Sequence, residues 1–364
     1  MLYRQPVTQP SATSAMSGAA PQSRTTTTMN YKTAVNQIWR HSTSSPTDET
    51  APQRELVRYA TLAASSHNTQ CWKFKLEEGL ISILPDWARR TPAVDPDDHH
   101  LYVSLGCATE NLLQAAQANG QQGLVDLAAD GSIQIHLEPM QAISSPLFQA
   151  IPQRQSTRTD YDGQPLSTGE LAQLEQAAAG EGVHLILLTE KPAIESVLEY
   201  VVEGSNAQIN DPEFVKELKF WVRFNEKEAI RQGDGLFARC TGNPTAPHWL
   251  GNLLFDRLLT PKAEAQKYTR QIRSSAGIAI FVSDNNTPSH WIAAGRAYQR
   301  FALQATALGI RTAFLNQPVE VAALRPQFTN HLGLGERRPD LVVRFGRGPE
   351  MPRSLRRPVA AVLV

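Results

Sequence analysis

Apolar side chains recur at helical spacing through residues 31–41 and 52–64, and again through a longer, Ala-rich stretch at 104–119. Between these stretches, WKFKL (72–76) and LISIL (80–84) flank Glu77–Glu78–Gly79, the pattern of a strand pair. Beyond residue 165 the pattern starts over. Helical spacing returns at 166–180, HLILL (184–188) reads as a strand, and 193–203 and 212–231 read as helices. GIAIFVS (277–283) is the continuous apolar run of a buried strand, and helix 289–308 and strand LVVRFG (341–346) follow. Residues 1–30 are rich in Thr, Ser, Ala, Gln and Pro and nearly free of large apolar side chains, so a disordered leader is expected there. Arg4 stands alone with no apolar core after it, which fits neither a secretory nor a twin-arginine signal. No stretch approaches the roughly 18 apolar residues of a membrane span, so a soluble, cytoplasmic protein is expected.

The restart has a register. GCATENLLQAAQANG (106–120) and GRAYQRFALQATALG (295–309) have equal length, begin and end on Gly, and share Ala at 108/297, 116/305 and 118/307, an offset of 189. Earlier segments pair at smaller offsets: RHST (40–43) with RQST (154–157) at 114, and ELVRYATLAA (55–64) with ELAQLEQAAA (170–179) at 115. The second copy therefore carries 74 additional residues, placed between about 189 and 276. The fold expected is α+β, with a leader at 1–30, a first half at 31–147 and a related second half at 148–364, the two forming an intramolecular pseudo-dimer. The insertion holds a Gly/Pro-broken aromatic run, 220–254, with few regular-element signals after Arg231; it reads as a lid, with Trp221, Phe237 and Trp249 as candidate cover over a site.

Charge and composition narrow the function. The 364 residues include 35 basic and 35 acidic side chains, so there is no net field to hold a polyanion, and a general nucleic-acid binder is excluded. Three scattered cysteines, Cys71, Cys107 and Cys240, form neither a disulfide framework nor a CxxC zinc site and suit a reducing compartment. No GxGxxG, P-loop or nucleophile elbow is present. The run Asp95, Asp97, Asp98, His99, His100 is the most metal-like, but such a string reads as a loop or helix start and no metal is assigned. His67 reads as a hydrogen-bonding residue and Cys71 as a small buried hydrophobe rather than a reactive thiol.

The halves differ in a complementary way. The second has Arg154, Ser156, Thr157 and Arg158, where the first has Arg40, Ser42, Thr43 and Ser44; the first has the polar loop SSHNTQ (65–70), where the second has only GEG (180–182). One surviving site, shared between Ser65–Gln70 and Arg154–Arg158, follows. Forked donors and a hydroxyl in one helix-start turn suit a phosphate at one end and a planar, carbonyl-rich ring at the other. Arg344, Arg347, Arg353, Arg356 and Arg357 add a local anion site near the chain end.

RQSTR, the loop ASSHNTQCWKF (64–74), the repeated Gly–Ala helix, FLNQPVEV (314–321) and RRPV (356–359) together resemble the nitroreductase fold. The fused, inserted form is similar to the Acg-type branch of FMN-binding proteins, over roughly residues 31–364. The usual loop P-S-x-N-x-Q-P-W has Ala64 and Cys71 here in its two proline positions, which loosens it. The resemblance implies that Arg154, Arg356 and Arg357 hold an FMN phosphate with help from Ser156 and Thr157, and that Arg158 faces the flavin pyrimidine edge. Ser65, Ser66, Asn68 and Gln70 reach the flavin from the first half, and Gln317, Pro318, Val319 and Glu320 offer backbone groups near N5. It implies hydride transfer from NAD(P)H through FMN to a small nitroaromatic or quinone-like acceptor, with no catalytic side chain required. The alternative is a flavin-storage protein whose insertion occludes the site.

Overall fold

The computed structural model describes residues 30–41 and 51–364. The leader and the segment bearing Ser42, Thr43 and Ser44 lie outside the described residues. Two four-stranded antiparallel sheets frame the molecule. The first is built from Trp72–Glu77, Leu80–Pro85, Gln121–Leu127 and Ile133–Pro139. The second is built from Val183–Leu188, Gly277–Ser283, Arg311–Phe314 and Arg338–Gly346. In each, the chain order of the strands across the sheet is first, second, fourth, third. A long helix follows the second strand of each set: His99–Ala118 in the first, Pro288–Ala307 in the second.

These two helices cross at the centre of the core, and glycine sets how closely. A Cβ on Gly106 would collide with the Ile292 carbonyl, and a Cβ on Gly295 would collide with the Val103 carbonyl. The contact is reciprocal, and the offset of 189 relates its two sides. Around it, Cys107 Sγ meets the Gly295 carbonyl at 3.3 Å, Gln299 Nε2 donates to Asn111 Oδ1 at 2.7 Å, and Arg296 and Arg300 converge on the buried Glu110 carboxylate. Both helices are buried over most of their length, as their Ala-rich sequences allow.

Several expectations shift. Strands Gln121–Leu127, Ile133–Pro139 and Arg311–Phe314 were not foreseen; the first and last are sheet edges, and Gln121–Leu127 is half exposed and polar, which hides strand periodicity. The expected helix 212–231 is two helices, Pro212–Trp221 and Glu226–Gln232, because Asn225 takes extended backbone and its side chain caps the second at Glu228 N. After Arg231 the insertion is not irregular: it forms helices His248–Leu258 and Pro261–Arg273, the latter capped by Thr260 with Pro261 behind it. The chain end crosses to the first sheet, where Phe74 N donates to Val362 O at 2.8 Å and Val364 N to Phe74 O at 3.0 Å. Among the described residues no helix is long and apolar enough to cross a membrane.

Candidate functional site

The loop 65–70 connects helix Ala51–Thr61 to the first strand in a costly conformation. His67, Asn68 and Gln70 all have positive φ, at 48°, 54° and 53°, a region that disfavours side-chain-bearing residues. Buried hydrogen bonds hold it. Asn68 Nδ2 donates to the carbonyls of Gly235 and Leu355 and its Oδ1 accepts from Arg356; Gln70 Nε2 donates to Gly233 O and its Oε1 accepts from Arg357 N. Ser65 Oγ accepts from Gln70 N. The insertion and the C-terminal segment thus supply the restraint that the missing prolines would have given.

Opposite lies 154–158, which is extended rather than the start of a helix. Thr157 N donates to Thr312 O at 2.8 Å and Ser156 bridges Thr312, so backbone pairing to strand Arg311–Phe314 fixes the segment. Arg154 is buried, with Nη2 donating to Leu62 O at 3.1 Å and Nε and Nη1 left without partners. Two unpaired buried donors on a guanidinium beside a second one, Arg356, are costly unless an anion joins them. Among the described residues Arg158 makes no side-chain hydrogen bond or ion pair; burial lowers its pKa, while Tyr268, Cys240, Tyr298 and Tyr161 lie close by.

Arg158, His67, Tyr268 and Glu320 each keep some accessible surface, yet burial penalises the charged form of every one. Partial accessibility in so dense a surround fits the wall of a shared recess rather than the open outer face. Burial, then the neighbouring Arg158 and His100, bring the His67 imidazole down to about 4, so it is neutral at ordinary pH. Gln317 Nε2 donates to Tyr268 Oη at 2.6 Å, and Gln317 Oε1 is buried without a partner. Pro318 and Val319 are buried behind it, and Ser66 N donates to Ser104 Oγ.

The arginine-rich corner is mostly committed. Arg356 donates from all three nitrogens, to the Thr61, Leu62, Ala63 and Leu355 carbonyls and to Asn68 and Ser354, closing the carbonyl end of helix Ala51–Thr61. Burial and Arg154 bring its pKa down to about 9. Arg357 donates to Gln70 O and Ala361 O and pairs with Asp86. Fully buried Arg344 donates to the Gln271, Thr157 and Thr159 carbonyls and stacks on Tyr161; Arg347 pairs with Glu170, and Arg353 donates to the Pro152 and Arg154 carbonyls. Among the described residues, Arg154, with two unpaired nitrogens, and Arg158 keep the most free capacity of the predicted donors, and Arg344 Nε is also buried without a partner.

The expected cover residues are placed elsewhere. Trp221 packs between Arg89 and Arg223, and Phe237 packs on Tyr31 in a small separate core. Trp249 is 69% exposed on helix His248–Leu258. The insertion reaches this recess through Tyr268 instead, with Cys240 of the same small core near Arg158. Reading the sequence missed Tyr268, Gln208 and His100 there; helical spacing with a Thr–Pro cap would have placed Tyr268 on a helix, but nothing local aims it inward. A surface cleft of about 770 Å³ opens on the insertion, bordered by Lys216, Phe220, Arg231 and His248, and none of the predicted site residues lines it.

No protein-family model matches the chain. Two curated relatives from Mycobacterium tuberculosis, strains CDC 1551 / Oshkosh and ATCC 25618 / H37Rv, are named "Putative NAD(P)H nitroreductase" MT3217 and Rv3131. Each is 26% identical over 327 residues, covering 85% of this chain and 90% of the relative. Among solved structures, a nitroreductase with bound FMN from Bacteroides fragilis aligns at 16% identity and TM-score 0.35, over 56% of this chain and 89% of its own. The FMN-dependent nitroreductase NfnB from Mycobacterium smegmatis, in complex with NADPH, aligns at 14% identity and TM-score 0.36, over 56% and 87%. These structural overlaps are too partial to carry an inference about this chain.

Proposed function

We propose that this chain is an NAD(P)H-dependent FMN oxidoreductase of the nitroreductase type, built as a fused pair of related halves that share one flavin site. The observation that carries the reading is the pair of guanidiniums with unused donors, Arg154 and Arg158, the latter beside His67 of the Ser65–Gln70 loop. The names of the curated relatives support the same class. The fused-pair reading is supported by the shared strand order of the two sheets and the reciprocal glycine crossing.

The donor set fits FMN. Arg154, with the Ser156 hydroxyl, would hold the phosphate, and Arg158 would face the electron-rich edge of the ring, where a fixed guanidinium favours the more negative reduced state. Arg356 and Arg357 shape the floor rather than lead the phosphate contact, because their donors are spent on carbonyls. Bound FMN supplies the hydride chemistry. The Ser65–Gln70 loop, locked by Asn68 and Gln70, closes the ring's other side and excludes water from it.

Purified protein tests the reading directly. A flavin absorbance spectrum that bleaches with NADPH and returns with a nitroaromatic or a quinone is the expected result; a protein that never retains flavin overturns it. A yellow protein inert to both reagents is the outcome of the storage alternative, which the reach of Tyr268 from the insertion into the site favours.

A further inference from the structure

Glu320 stands at this recess with one carboxyl oxygen held and the other without a partner among the described residues. Gln208 Nε2 donates to Oε2 at 2.7 Å, and Oε1 keeps accessible surface. The charged and titratable groups facing it are His100 of the first long helix, Asp95 of the loop before that helix, Tyr268 of helix Pro261–Arg273, and Arg325 of the helix that follows. Burial and Asp95 push its pKa up, His100 and Arg325 oppose them, and the net direction is upward.

Behind Glu320, Asp95, His99 and His100 bring ligand-type atoms within 4.8 Å of one another, a spacing that a metal could use. Hydrogen-bond polarity assigns the cluster differently. Asn316 Oδ1 accepts from Val342 N at 3.0 Å, so its amide nitrogen faces His100 Nε2 at 3.3 Å. His100 Nδ1 lies 3.5 Å from Asp95 Oδ1, and against the effect of burial that carboxylate raises the imidazole's pKa, which favours a proton on Nδ1. A metal would need Nδ1 bare. Asp95 is further occupied by the His100 and Leu101 amides, at 3.0 and 2.9 Å. The cluster is therefore a proton-holding support that fixes His100 beside Glu320.

We propose that Glu320 is the acid of this site, delivering from Oε1 the proton that the acceptor takes up along with hydride. The proposal rests on the oxidoreductase reading above. For a quinone the balance is one hydride equivalent, drawn from NAD(P)H that leaves as NAD(P)+, bringing both electrons and one hydrogen to one carbonyl oxygen, and one proton from Glu320 to the other, where a new O–H bond forms as the O–H of Oε1 breaks. The product is the hydroquinone, and Glu320 is left as a carboxylate that solvent reprotonates. The neighbours do not serve as well. His67 is neutral down to about pH 4, and burial pushes the Tyr268 hydroxyl above its ordinary range.

The test separates the two half-reactions in the FMN-loaded protein. Glu320→Gln is expected to retain FMN and to bleach with NADPH as the wild type does, but to reoxidise with benzoquinone about 10²-fold more slowly, the scale of a lost general acid. The fall in wild-type reoxidation rate as pH rises should also disappear. Glu320→Asp should keep a pH-dependent limb at a shifted position, and it carries the test if the Gln variant fails to retain FMN. Infrared difference spectra should show a protonated-carboxyl band in the wild type that Glu320→Gln removes. Unchanged reoxidation and an unchanged pH profile in both variants would overturn the proton role while leaving the oxidoreductase reading intact. A wild type that never bleaches brings down both. Metal retained in stoichiometric amount after dialysis would overturn the assignment of the supporting cluster and, with it, the proton role of Glu320.

Discussion

Arg154 and Arg356 lie beside each other and both reach Leu62 O, yet their remaining donors have different fates: Arg356 spends them on helix-end carbonyls and Asn68, whereas Arg154 keeps two nitrogens unpaired. Arg154→Ala should therefore weaken FMN binding with little change in the thermal midpoint of flavin-free protein. Arg356→Ala should lower that midpoint by an amount corresponding to about 1–3 kcal/mol, the cost of leaving buried acceptors unsatisfied. Asn68→Ala should weaken FMN binding from the other half, and the exposed Arg40→Ala should not; titration of apoprotein with FMN, followed by fluorescence quenching, measures all three. Asp340 offers a separate check on burial. It is fully buried, accepts from His99 and Ser283, and its carboxyl is pushed up to about 7. The folded chain then binds a proton that the unfolded chain has released, so this stability is complete below about pH 4 and is lost as pH rises through about 7. Urea midpoints should decline across that window in the wild type and decline less in Asp340→Asn.

At the scale of elements, the helix crossing makes the sharpest demand on sequence. Gly106→Ala and Gly295→Ala each drive a methyl into the facing carbonyl, so each should destabilise by about 1–3 kcal/mol, with a lowered thermal midpoint. The two variants should behave alike, because each glycine meets the other helix at the matching position. These helices were legible in the sequence because Ala-rich periodicity survives burial on all sides, and GIAIFVS was legible because a central strand is apolar throughout. Edge strands such as Gln121–Leu127 were not, since half their side chains face water. The loop 65–70 and the segment 154–158 stood out in the sequence by their polar and forked-donor side chains, as candidate site elements. What escaped was the use of the arginines: composition shows five guanidiniums near the chain end but not the carbonyls that consume them. The inward aim of Tyr268 and Gln208 depends on how the insertion's helices pack, which no local pattern encodes.

At the scale of the whole molecule, parts far apart in the chain meet around the 65–70 loop. The first half supplies the strained loop and the second supplies the guanidiniums, while the insertion reaches in through Tyr268 and braces the loop from Gly233 and Gly235. The chain end then binds back to the first sheet along Phe74. On the proposed reading, each half would hold parts that the other needs.

The covalent link between the halves has a modest part in this arrangement. The exposed stretch around Gln141 and Ala142 joins strand Ile133–Pro139 to helix Pro146–Ala150, while the glycine crossing, the Glu110 ion pairs and the pairing of the chain end with Phe74 bind its two sides independently of it. A protease site introduced between Gln141 and Ala142 should therefore yield two fragments that co-elute in size-exclusion chromatography and keep their flavin. Separation of the fragments under native conditions would show that continuity of the chain, rather than the interlocked surfaces, keeps them together. Cut in this way, the protein would behave as a heterodimer whose subunits are no longer interchangeable.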